Sequence, residues 1–145
     1  MGCDIHLLLE RRTPTGWVTV DTMGSHHSRW RQDNPMDGWS SPIATDRNYR
    51  RFAALAGVRG PGPGPRGMPV DASQTATYLA KKYGDDGHNH SWMLVSEALP
   101  IFVKTHFWPE KMPEDSWARK YPESYFFNIE GGDLSDYRLV FWFDN

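Results

Sequence analysis

One cysteine among 145 residues, Cys3, leaves no partner for an internal disulfide, so packing rather than cross-linking has to hold the chain together. A single thiol also fits a reducing compartment, and a cytoplasmic setting is expected. No apolar run reaches the ~18 residues that a membrane span requires. Asp4, Glu10, Arg11 and Arg12 interrupt the beginning too often for a signal peptide. Met1-Gly2-Cys3 opens like a myristoylation signal, but His6 stands where that signal needs Ser or Thr. Charge of either sign is scarce in the balance: the net charge is −2 and the isoelectric point near 6.3. That gives no general drive toward nucleic acid or an anionic membrane. No His-Glu-x-x-His metal signature is present.

What the chain does have is aromatic bulk. Seven Trp, seven Phe and six Tyr can bury enough area to stabilise a domain that also carries long loops. With 39% hydrophobic and 23% charged residues the composition is that of a folded protein, and the length suits a single domain over 1–145.

Residues 3–11 read as a strand, with Cys3, Ile5, Leu7 and Leu9 on one face and Asp4, His6, Leu8 and Glu10 on the other. A turn at Thr13–Gly16 and a short partner strand at Trp17–Val20 complete a hairpin. Residues 21–44 lack periodicity and read as a long loop. Thr45 is the expected cap of a helix whose buried stripe is Tyr49, Phe52, Ala53 and Ala56, stopped by Gly57. The Gly60–Gly67 stretch alternates glycine and proline and cannot be regular structure. Asp71 with Gln74 opens a second helix, ended by Gly84, and Ser91 opens a third, Trp92 to Leu99, ended by Pro100. Residues 104–124 read as irregular and Tyr125–Ile129 as a strand. Tyr137–Phe143 is the last strand, with Arg138, Val140, Trp142 and Asp144 on one side. The expected fold is α+β: a small, mostly antiparallel sheet including the N- and C-terminal strands, about three helices, and long loops.

If the two terminal strands share a sheet, one face gathers Asp4, His6, Glu10, Arg138, Trp142 and Asp144. A solvated sheet face is ordinarily polar, but His and Trp are not its usual occupants. Met1–His6 with Glu10, Asp46-Arg-Asn-Tyr49, Leu55–Arg59, Pro65–Pro69, Asp86-Gly87-His88 with Ser91-Trp92, and Phe141–Asn145 are similar to blocks of one family. The chain resembles uncharacterised bacteriophage and bacterial proteins that open with MGCDIH and close with FWFDN. The resemblance implies a phage or prokaryotic origin and, if phage-encoded, the host cytoplasm. It implies no activity.

Three functions are compatible with these residues. The first is an accessory protein that binds a phosphorylated, nucleotide-like small molecule, used to sequester a host defence signal. Arg47, Arg66 and Arg138 would meet phosphate, with His90 beside them, and Tyr49, Trp92 and Trp142 would stack on a ring. The second is a hydrolase or phosphodiesterase with His6, His88 and Asp4 as catalytic groups, since imidazoles titrate near neutrality. His88 and His90, two apart, would then point one way in an extended segment, with or without a divalent metal between them. The third is a protein-binding inhibitor of a host factor, presenting aromatics of the 21–44 and 104–124 segments. Against each residue stands a plain structural use: ion pairing for the arginines, core packing for the tryptophans, and a buried inert thiol for Cys3.

Overall fold

The computed structural model describes residues 2–24 and 42–145. His26-His27-Ser28 and the middle of the expected 21–44 loop lie outside the described residues. Strand β1 (Asp4–Thr13) turns back into β2 (Gly16–Gly24), which runs four residues past the expected end. A short helix α1 (Pro42–Thr45) precedes α2 (Tyr49–Ala56), and α3 (Gln74–Tyr83) leads to β3 (His88–Leu94). Then come α4 (Val95–Thr105), α5 (Trp117–Lys120), α6 (Pro122–Phe127) and β4 (Tyr137–Asp144). The strands form one antiparallel sheet in the order β2-β1-β4-β3, so the terminal strands pair at its centre. This is the expected α+β fold, with three helices of eight residues or more among the described residues: α2, α3 and α4. No helix among the described residues is long and apolar enough to cross a membrane.

Both faces of the sheet are covered. Ile5, Leu7, Leu9, Leu139, Phe141 and Phe143 pack beneath α2, α4 and α6 through Phe52, Phe102, Phe126 and Phe127. On the reverse face Leu8, Val140 and Trp142 pack against Ala76 and Leu79 of α3. The polar side of β1 and β4 is therefore an interior, and His6, Glu10, Arg138 and Trp142 are all buried there.

Several local expectations are overturned. Asn48, not Thr45, caps α2, its side chain accepting from the Arg51 N–H at 3.1 Å. Ser73 replaces Asp71 as the cap of α3, because Asp71 is drawn into an ion pair with Arg138. Ser91 is a buried strand residue whose hydroxyl accepts from the Arg66 backbone N–H; pairing with β4 extends this segment past Trp92 before α4 begins. Pro100 does not end α4 but lies inside it. Its missing N–H would have bonded to the carbonyl of Ser96, four residues back. Both residues face solvent, where water can take that acceptor. Residues 122–127 are helical rather than extended, started by Pro122 and closed by Asn128 in the left-handed region at φ 54°.

Candidate functional site

The start of β1 and the end of β4 meet in register, Asp4 opposite Asp144 and His6 opposite Trp142. His6 is fully buried and its Nε2 is hydrogen-bonded to Asp144 Oδ1 at 3.0 Å. Tyr83, at the end of α3, covers the imidazole with ring centroids 4.1 Å apart. Burial, reinforced by the negative charges of Asp144 and Asp4, pushes the Tyr83 hydroxyl up to about 12. Asp4 is engaged by Arg47: its two oxygens accept from Arg47 Nε at 2.7 Å and Nη2 at 3.2 Å. A side chain at position 2 would collide with that guanidinium, so Gly2 leaves the space in which the fork–fork pair forms.

The two later histidines part company. Asn89 takes a left-handed conformation, φ 52°, and the β3–β4 register shifts between His88 and Ser91. The bulge breaks the alternation that would have set both imidazoles on one side. His90 stacks on Trp142 at 5.9 Å, whereas His88 lies against Phe143 at 6.3 Å. The His88 ring nitrogens engage the Oδ1 atoms of Asn89 and Asn145 at 2.9 and 3.3 Å. Burial, and secondarily the neighbouring His88, lowers the pKa of His90 and favours its neutral form. Among the described residues no three His, Cys, Asp or Glu side chains are placed to share a metal ion.

Asp4, His6, Arg47, His88, His90 and Trp142 thus gather at one sheet end, with Tyr83, Asp144 and Asn145 added by the fold. The other expected site residues do not join them. Arg66 lies over Trp92 at 4.8 Å and bonds Glu97 Oε2 at 2.8 Å. Arg138 sits opposite Glu10, six positions along β1 from Asp4, roughly 20 Å by strand rise. There Arg138 bonds Glu10 and Asp71.

Tyr49 belongs to a different hollow, a groove of about 660 Å³ between α2 and α4. Its hydroxyl accepts from the Cys3 N–H at 3.2 Å, so the groove borders the start of β1. Arg50, Arg59 and Lys104 line it with Tyr49, Ile101 and the Gly60–Pro63 turn, and among the described residues no carboxylate does. Arg59 is held in the left-handed region, φ 62°, with its guanidinium 5.2 Å from the Tyr49 ring centroid. The turn is seated directly on α2: a side chain at Gly62 would run into the Ala53 carbonyl. Arg50 and Lys104 have no carboxylate partner among the described residues.

The sequence pointed to Tyr49 but missed this groove. Arg50 falls next to the expected stripe of Tyr49, Phe52, Ala53 and Ala56, yet Lys104 joins it only because α4 continues beyond Pro100. Comparison with family models, curated proteins and solved structures found no match. The class that can be stated is therefore structural: an α+β protein with a four-stranded antiparallel sheet covered on both faces.

Proposed function

We propose that the protein binds a phosphorylated, nucleotide-like small molecule in the groove between α2 and α4. The supporting observation is the convergence of Arg50 and Lys104, neither with a carboxylate partner among the described residues, on an otherwise apolar hollow that Arg59 also lines. Its volume lies within the ~300–1,000 Å³ usual for small-molecule sites. Guanidinium and ammonium groups would hold the phosphates, and Tyr49 with Ile101 and the prolines would take the flat body of the ligand. This moves the anion site away from Arg47, Arg66 and Arg138, whose charges are committed to Asp4, Glu97, and Glu10 with Asp71. If the phage resemblance holds, sequestration of a host defence signal is the use such binding would have.

Calorimetric titration with nucleoside mono-, di- and triphosphates and cyclic nucleotides is expected to find a binder whose affinity falls with added salt. The Arg50→Ala/Lys104→Ala double variant should bind it about 10- to 100-fold more weakly without loss of fold, since each of the two contacts is worth ~0.7–1.4 kcal/mol at a half-open site. Wild-type protein that retains none of these compounds would remove the proposal.

A second reading, a hydrolase or phosphodiesterase, draws support from the His6–Asp144 contact at the sheet end. Asp144 replaces Asp4 as the carboxylate that would orient the imidazole. The reading expects Asp144→Asn to lower turnover of a phosphodiester substrate by about 10²–10⁴-fold, the range of general acid–base catalysis. Unchanged turnover in a folded variant would reject that role.

A further inference from the structure

We infer that the hollow between α5, α6 and the 129–131 turn is a binding site for an alkylammonium group. It has a volume of about 300 Å³ and is lined by Trp117, Tyr121, Glu123, Ser124, Ile129, Glu130 and Gly131. Trp117 is 58% exposed and Tyr121 46%, a large solvent exposure for aromatics in a protein whose other rings are mostly interior. Their faces carry the negative lobe of the ring quadrupole, strongest in indole, and attract cations that shed water easily. Glu123 and Glu130 add two carboxylates with no ion-pair partner among the described residues.

The chemistry selects among ligands. Anions are repelled by both glutamates. A hard divalent ion needs about six oxygen ligands, and the two aromatic walls supply none. A methylated or primary ammonium satisfies both halves of the lining, with its charge toward the carboxylates and its carbon surface on the rings. The chain already holds one such group nearby: Lys120 Nζ lies 5.8 Å from the Tyr121 centroid. That is at the outer limit of cation–π contact, ~6 Å, and Lys120 is not itself among the residues that line the hollow. Because this hollow has the opposite charge preference to the α2–α4 groove, the inference stands whether or not the phosphate reading does.

The test is NMR titration of the full chain, following the Trp117 indole N–H and the Tyr121 amide. The additives are tetramethylammonium chloride, Nα-acetyl-lysine amide, and potassium chloride at matched ionic strength. Saturable shifts are expected with tetramethylammonium and not with potassium. Tighter binding of the lysine amide would identify a protein side chain as the natural source; tighter binding of tetramethylammonium would identify a free quaternary amine. The Glu123→Gln/Glu130→Gln variant should weaken binding about three- to tenfold, and Trp117→Ala should abolish it. Identical responses to potassium and tetramethylammonium, or affinity unchanged in the double glutamine variant, would overturn the assignment.

Discussion

Replacing Arg138 with methionine is expected to cost roughly 3–5 kcal/mol of stability, because it strands a buried carboxylate. Glu10 is fully buried, and both its oxygens are in use: Oε1 accepts from Arg138 Nε at 2.5 Å and Oε2 from the Ser73 N–H at 2.8 Å. Arg138 also donates to Asp71 Oδ1 and to the Asp71 carbonyl, and stacks on Trp17 at 4.2 Å. The network ties the first turn of α3 to the centre of the sheet, with a negative charge placed where the helix dipole favours it. Its loss should loosen α3, and with it the cover over His6 and Trp142. The double variant Glu10→Gln/Arg138→Met should recover a substantial part of the loss, since the uncompensated charge is then gone. Urea unfolding of the three proteins measures this. A single variant that loses less than ~1 kcal/mol, or a double variant worse than the single, would contradict the account.

Arg51→Ala is the second large effect, expected at roughly 2–4 kcal/mol from lost packing and lost hydrogen bonds together. This arginine sits in the middle of α2 with no exposed surface. It bonds Thr105 Oγ1 at 3.0 Å and Asp46 Oδ1 at 3.0 Å, and its guanidinium lies 4.4 Å from the Phe102 ring centroid. Burial pulls its pKa down from the usual value, and Asp46 opposes that shift. Alongside it the Asn48 side chain donates to the Thr105 carbonyl at 2.6 Å. Together these contacts staple α2 to the end of α4, the two walls of the groove. Arg51→Met keeps the aliphatic stem and should recover about half of the loss. It would still leave the groove poorly held, so ligand affinity should fall along with the melting temperature. Equal stability of the alanine variant and wild type would show that the staple contributes nothing.

The strands at the two ends were legible because their alternation is long and unbroken, and their shared polar faces identified Asp4, His6, Glu10 and Arg138 as neighbours of a kind. Burial of those faces was not legible. Nothing in the alternation of β1 says that α3 will fold back over it, and an open polar face and a covered one with internal ion pairs look alike in one dimension. Burial of Arg51 was not legible for the same reason: its partners, Thr105 and Phe102, are about fifty residues away. The His88/His90 pair was misjudged through one backbone angle at Asn89, which residue type permits but does not dictate.

Local chemistry by itself determined the terminal strands, the first hairpin and the helix ended by Gly57, which positions of β1 and β4 are apolar, and that one cysteine would do no cross-linking. Those properties depend on the spacing of side chains along the chain and on the conformations that Gly, Pro and Asn allow. Tertiary structure alone decided which charges are already neutralised and which remain available. Arg47, Arg66 and Arg138 meet carboxylates brought from 43, 31 and 67 residues away, while Arg50 and Lys104 meet none among the described residues. Coulombic pairing falls off over a few ångströms of space and takes no account of distance along the chain.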